Sequence, residues 1–242
     1  MDKPTKDERK KLRHQQWEEK LKREQKNCLF KKIGIWTTAV AIFSLTVWGL
    51  ILATDNPVSQ AQTITNLPQP EAKDIIIGSS SAKVVLTEYA DFQCPACGVY
   101  HPIIKQIIQN YGNKIRYIYR NYPLTQHQNA KPAAYAAYAS YKQSKFTEME
   151  DLLYATQKDW STSDNPDGIF RQYAEKIGLD MTKYDTDTTS DETKKFIEDQ
   201  LNATQALGII STPTFFVNKE QVQGPQNYEE FKKVIENALN KK

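Results

Sequence analysis

The sequence predicts an α/β domain with a block of helices set between its two halves, carried behind a single transmembrane helix. Three observations lead there: a 21-residue uncharged apolar stretch near the start, a strand, helix, strand order that begins near residue 74, and a run of helical patterns between residues 128 and 207 that ends in further strands.

Charge separates the chain into regions. Residues 1–32 hold 12 Lys or Arg against 6 Asp or Glu, whereas residues 55–242 hold 20 against 23. The net charge of +3 therefore describes a basic tail, and the body gives no case for nucleic-acid binding. Within the tail, Lys6 to Lys26 carries Leu12, Trp17 and Leu21 at rough helical spacing. A topogenic basic tail is the simpler reading, with a membrane-surface helix as the alternative.

Ile33 to Ala53 (IGIWTTAVAIFSLTVWGLILA) amounts to roughly 30 Å of helix, the thickness of a bilayer core. Lys31 and Lys32 abut its start, and Thr54, Asp55 and Asn56 follow its end, which puts the N-terminus in the cytoplasm and everything after about residue 54 outside it. The rival is a cleaved signal peptide ending near Ser59-Gln60-Ala61. The apolar run is long for a signal core, and a signal anchor in the cell membrane is the reading taken. Residues 54–73, with Pro57, Pro68 and Pro70 among Ser, Gln, Thr and Asn, read as a linker to a domain spanning 74–242.

That domain opens with strand signals at Asp74 to Ile77 and Lys83 to Tyr89, the second (KVVLTEY) suited to burial. From Pro95 to Tyr111, Val99, Ile103, Ile104, Ile107 and Ile108 make a helical face. Lys114 to Tyr122 alternates as a strand, with Ile115, Tyr117 and Tyr119 on one side. Helices follow at Ala130 to Tyr141, Phe146 to Ala155, Ile169 to Ile177 and Asp191 to Leu207. Tyr135, Tyr138 and Tyr141 share helical spacing and read as packing. Last come a strand at Thr214 to Val217, a turn at Asn218 and Lys219, a short strand at Gln221 to Gln223 and a helix at Tyr228 to Leu239.

Three cysteines are too few for a disulfide-stapled scaffold or a four-cysteine zinc site. Two of them form Cys94-Pro95-Ala96-Cys97 where a strand meets a helix. There the first sulfur sees the positive end of the helix dipole and unpaired N–H groups, which favour thiolate. Cys94 is thus the expected nucleophile, Pro95 suits the first helical turn, and Cys97, one turn on, is placed to resolve a mixed disulfide at Cys94. A lone C-x-x-C also serves as half a metal site or as an inert disulfide, but the only histidines are His14, His101 and His127. No metal or cofactor is expected. Cys28, at the membrane edge, reads as a reduced spectator, with lipidation as the alternative.

Glu88 interrupts the apolar strand six positions before Cys94. A carboxyl inside a buried strand has a raised pKa and can exchange protons with the cysteines, unless it faces solvent at the sheet edge.

From about residue 74 to residue 240 the chain resembles the DsbA-like branch of the thioredoxin superfamily, especially its membrane-tethered bacterial members. The motifs, in order, are VVLTEYADFQ leading into CPAC, then IRYIYRNYPL, HQNAKPAAYAAYA, SKF before an acidic helix, and LGIISTPTFFVN. The resemblance implies a thioredoxin-like fold with an inserted helical domain and a disulfide that forms between Cys94 and Cys97. It also implies a cis-proline at Pro213 facing that pair, so that Pro95, Ala96, Thr212 and Pro213 form the substrate-binding rim, and an acid–base role for Glu88. Asp91, Phe92 and Gln93 match the family's approach to the active site, as rim or as local packing. His127 matches a family histidine and reads as a cap or surface contact. Two positions depart from the pattern. Ser211 stands where many relatives have glycine, and Ala96 replaces the histidine of Cys-Pro-His-Cys, which leaves the direction of electron flow open. The expected activity is disulfide donation to exported proteins with free thiols, with a membrane or electron-carrier partner to reoxidise the pair. A tethered reductase or isomerase and a non-enzymatic peptide-binding module are the alternatives.

Overall fold

The computed structural model describes residues 74–222 and 224–241, together with Trp17, Phe43, Ser44, Thr46, Leu67 and Pro68. The chain divides into two compact units, residues 1–60 and 61–242. In the first, the four described residues are helical, and the Thr46 hydroxyl donates to the Phe43 carbonyl at 2.8 Å. The basic tail, Cys28, the apolar segment and the linker otherwise lie outside the described residues. Among the described residues, no helix is long and apolar enough to cross a membrane.

The second unit is built on five strands: β1 (Ile75–Gly78), β2 (Val84–Ala90), β3 (Ile115–Asn121), β4 (Thr214–Val217) and β5 (Glu220–Val222), in the spatial order β1-β3-β2-β4-β5. β2 and β3 are parallel, so the chain must cross over between them, and α1 (Pro95–Tyr111) makes that crossover. The other pairings are antiparallel. β2 therefore has neighbours on both sides, which explains why its sequence is almost continuously apolar.

Between β3 and β4 stand α2 (Ala130–Lys142), α3 (Phe146–Ala155), the single-turn α4 (Gln157–Trp160), α5 (Pro166–Lys176), α6 (Met181–Thr189) and α7 (Asp191–Ala206); α8 (Tyr228–Asn240) closes the unit. The expected block at about 128–207 is present with two helices more than its pattern suggested. α5 begins at Pro166 rather than Ile169. Asn165 caps it by accepting from Gly168 N, and Pro166 occupies the first turn, where its missing N–H costs nothing. The last short strand is Glu220–Val222, one residue earlier than its pattern suggested.

The two faces of the sheet bury different sets. Side chains alternate along a strand, so Leu86, Glu88 and Ala90 share one face of β2 while Thr87 and Tyr89 share the other. The first face joins the main core, with Tyr117 and Tyr119 of β3, Phe215 of β4, Ile104 and Ile107 of α1, and Phe231 and Ile235 of α8. The opposite face buries Tyr89, Tyr122 and Phe216 with Leu67, Leu201 and Ile209. Glu88 thus faces the interior from a central strand and not solvent from an edge.

Candidate active site

Cys94 caps α1 with extended backbone (φ −71°, ψ 120°), and Pro95 follows in the first turn. Both cysteines are thiols here. Cys94 is buried but keeps 7% of its area exposed, whereas Cys97, one turn deeper, has none. The two sulfurs differ accordingly. Cys94 is lowered to about 5, chiefly because the Cys97 thiol donates to its thiolate, with Thr212 and the N–H groups of Cys97 and Ala96 adding to the effect against the cost of burial. Burial, then the bond to Cys94 and the charge of Glu88, push Cys97 well above the usual thiol range.

Thr212–Pro213 is the cis peptide bond in the described chain, and it sits directly against the pair. The Cys94 thiol donates to the Thr212 carbonyl at 3.4 Å. The Thr212 hydroxyl is buried without a partner in this dithiol form. Ionisation of Cys94 gives that hydroxyl an acceptor, which is the physical source of its share in lowering the thiol. Ser211 fills the glycine position without a positive φ, and its carbonyl accepts from the Thr214 hydroxyl at 2.7 Å. Pro95 and Ala96 are exposed beside Cys94, and Thr212 and Pro213 are partly so. The apolar side chains of Val99 and Ile210, next to the two halves of the site in sequence, are 67% and 88% exposed.

Glu88 is buried beneath the pair. Its carboxylate accepts from the Tyr117 hydroxyl at 2.6 Å, yet burial dominates and raises the carboxyl to about 7, with the charge of Cys94 adding to the rise. A carboxyl that titrates near neutrality next to a buried thiol can give or take the thiol's proton.

The residues leading into the site are structural anchors. Phe92 is buried and stacks on Tyr119 at 4.9 Å, so it belongs to the core and not to the rim. The Asp91 carboxylate accepts from Gln93 N (2.7 Å) and Leu124 N (2.9 Å) and pairs with His127 Nδ1 at 2.6 Å. His127 is thereby tied to the loop that carries Cys94. Gln93 reaches the helical block through its bonds with Asn129 N (2.7 Å) and Ser161 O (2.9 Å). Tyr138 stacks on Phe196 at 4.1 Å, and the Tyr141 hydroxyl accepts from Ile76 N, which is packing in both cases.

Sequence reasoning missed Gln157. Its amide donates to the carbonyls of Phe92 (2.7 Å) and Cys94 (2.9 Å), fixing the active-site turn from the helical block. Gly98 leaves room for it: a Cβ there would stand 3.4 Å from Gln157 Oε1. Nothing in the local pattern around Gln157 marks it, because its partners are 63 and 65 residues away. Among the described residues, no group of three or more His, Cys, Asp or Glu side chains is arranged to hold a metal ion.

The sequence profile of the thioredoxin family matches residues 71–237. The chain belongs to that family. As a thioredoxin-family protein, it resembles known proteins in two different ways. It is 32% identical over 220 residues to the Na(+)/H(+) antiporter NhaA 3 of Salinispora tropica, covering 86% of this chain and 33% of that protein. It is 34% identical over 200 residues to NhaA 1 of a Mycobacterium species (strain KMS), covering 80% and 32%. The chain therefore spans about a third of the length of the curated relatives it matches. In structure it resembles oxidised BdbD of Bacillus subtilis (TM-score 0.62, 22% identity, 72% of this chain and 97% of that one). It also resembles alpha-DsbA1 of Wolbachia pipientis (0.62, 22%, 74% and 96%) and the catalytic domain of ScsC from Proteus mirabilis (0.60, 21%, 71% and 92%). The thioredoxin-family fold of this chain is thus the DsbA-like one, with its helical block in place.

Proposed function

We propose that this chain is a thiol:disulfide oxidoreductase that donates a disulfide to exported proteins through Cys94. The observation that carries the proposal is the placement of the pair: Cys94 at the N-terminus of α1 and 3.4 Å from the Thr212 carbonyl of the cis-proline loop, with Cys97 fully buried one turn on, an arrangement that lowers Cys94 to about 5 and pushes Cys97 well above its ordinary range. A substrate thiolate attacks Cys94 Sγ of the enzyme disulfide, the bond to Cys97 breaks, and Cys97 leaves and takes up a proton. A second substrate thiol then displaces Cys94, which leaves as a stable thiolate. A stable leaving thiolate favours the reduced enzyme and therefore donation of the disulfide, even with alanine at position 96. The dithiol must then return its electrons to a membrane or electron-carrier partner.

Exposed Val99 and Ile210 give the rim an apolar character suited to unfolded chains, and the backbone at Thr212 is available to an extended segment. The apolar stretch 33–53 and the basic tail before it support a signal anchor that holds the domain outside the cytoplasm. Ion antiport, the activity in the names of the longer relatives, is no part of this reading, which rests on the dithiol.

The test uses the full chain in detergent with Cys28→Ser, so that only the pair reports. Thiolate absorbance is expected to titrate near pH 5, and the disulfide form is expected to oxidise a reduced two-cysteine peptide stoichiometrically. A Cys94 that titrates near 9 together with no transfer to the peptide overturns the proposal. Because the folded thiol lies below its unfolded value, the reduced form should gain stability as pH rises from 5 towards 9 and lose it as pH falls through 5. For topology, protease added to intact cells is expected to digest the folded domain and spare the tail.

A further inference from the structure

Leu67 and Pro68 lie in the stretch between the apolar segment and the first strand, and both are held by the folded unit. Leu67 is only 8% exposed, which makes it a core residue. The Pro68 carbonyl accepts from Arg120 Nη2 at 3.2 Å, and the same guanidinium meets Asp74 at 3.0 Å. Arg120 of β3 thus fastens the chain ahead of β1 at two points. Leu67 joins Tyr89, Tyr122, Leu201, Ile209 and Phe216 in one cluster of buried side chains, on the face of the sheet opposite the main core. Two of these are the roots of the loops that flank the thiols. Tyr122 opens the loop that reaches His127, and Ile209 leads directly into Ile210, Ser211, Thr212 and Pro213.

The two loops are held differently. The first has bonds of its own: Tyr122 N donates to Ala90 O at 2.7 Å, and Leu124 N and His127 Nδ1 meet the Asp91 carboxylate at 2.9 and 2.6 Å. The second has few. Among the described residues, no N–H of residues 210–212 has a main-chain partner, Pro213 has no N–H to offer, and Ile209 N reaches Thr204 O only at 3.4 Å. Ile210 is almost fully exposed and packs on nothing. The inward anchor of the cis-proline loop, at its α7 end, is therefore the buried Ile209 side chain.

We propose that Leu67 is a positioning residue for the cis-proline loop: seated in one cluster with Ile209, it keeps Thr212 against Cys94 and keeps the loop's unpaired main chain in line for a substrate strand. The segment that leads from the apolar stretch to the domain is then part of the substrate-binding unit. The inference rests on the thiol-exchange reading above and extends it to a residue ahead of the first strand. Shortening Leu67 leaves a cavity in the cluster, into which the surroundings relax only in part. The element with the fewest bonds of its own gives most, and that element is the 210–213 loop, not the loop tied to Asp91.

What moves together with Thr212 separates positioning from stability. In the full-length Cys28→Ser chain, Leu67→Ala is expected to raise the concentration that half-saturates oxidation of a reduced two-cysteine peptide by about fivefold. Dithiothreitol has no peptide backbone to align, so it should reduce the enzyme disulfide at a rate within about twofold of the unsubstituted chain. The Cys94 midpoint should rise from about 5 by about half a unit. In a Thr212→Val background the same substitution should add no further shift, because the hydroxyl through which the displacement acts is gone. Leu67→Met refills the seat and should restore both readings. Arg120→Met is the control for stability: it removes the clasp on Pro68 and Asp74 but leaves Leu67 in its cluster, so the fold weakens and Cys94 does not move. An unchanged half-saturation in Leu67→Ala, an equal loss with peptide and dithiothreitol, a midpoint shift undiminished by Thr212→Val, or the same shift in Arg120→Met overturns the positioning role. If Leu67→Ala does not fold, Leu67→Val decides by the same readings. Failure of the parent reading looks different: the disulfide form of the unsubstituted chain then oxidises neither the peptide nor dithiothreitol.

Discussion

The two faces of β2 bury charge in opposite ways. On one face, Glu88 sits next to Tyr117 and the thiols with no cation against it, and its carboxyl rises to about 7. On the other face, Arg120 meets Asp74 at 3.0 Å, donates to the Tyr89 hydroxyl at 2.8 Å and to the Pro68 carbonyl at 3.2 Å, and lies over the Tyr89 ring at 5.6 Å. Burial is nearly equal on the two sides, so burial alone does not decide what a carboxyl does. A guanidinium beside it makes a fixed ion pair that fastens β3 to the chain before β1; without one, the proton becomes mobile near neutral pH, and the group is useful beneath a pair of thiols.

The comparison can be broken most sharply at Arg120. Arg120→Met leaves Asp74 buried without its guanidinium and should cost about 3–5 kcal/mol in chemical denaturation, with the Cys94 titration unmoved. A loss below 1 kcal/mol would mean that the ion pair contributes little and that the two faces differ less than their geometry suggests.

Glu88→Gln should act with the opposite sign. The folded carboxyl binds its proton more tightly than an unfolded one, so stability falls as pH rises from about 4.5 to about 7. Removing the titration should therefore stabilise the protein by roughly 3 kcal/mol above pH 7 and by almost nothing below pH 4.5, from about 1.36 kcal/mol per pKa unit. A gain that does not depend on pH would separate the substitution from the titration. The same variant should also slow exchange at Cys97.

The smallest expected effect lies at the mouth of the site. Thr212→Val keeps the shape and removes the hydroxyl that meets the Cys94 thiolate, so Cys94 should move from about 5 to about 6, the equivalent of one hydrogen bond near 1.4 kcal/mol. Absorbance of the thiolate against pH measures it directly, and an unchanged midpoint would remove Thr212 from the account.

Much of this arrangement could be read from the chain. The apolar run of β2, the alternation in β3, the C-x-x-C at a strand end and the single carboxyl within KVVLTEY are all local patterns, and each led to the correct placement. α6 was missed for a physical reason. MTKYDTDTT offers Tyr184 as its one buried side chain and four threonines of modest helix propensity, so its helix depends on packing against α2 and on the Asp180 cap. The resemblance leaves Phe92 open between rim and local packing, because the aromatic cluster that decides for packing is assembled from β3 and α3, far off in sequence.

The clasp of Gln157 on the carbonyls of Phe92 and Cys94 bears on how the domain can be re-engineered. It makes the helical insertion an integral part of the redox unit and not an exchangeable module. A shortened chain that joined β3 directly to β4 would keep all four residues of Cys94-Pro95-Ala96-Cys97 and the cis-proline loop, yet it would strip the active-site turn of its clamp and open the covered side of Cys97 to water. Grafting this motif onto a minimal sheet would therefore transfer the sulfurs without the environment that sets their difference.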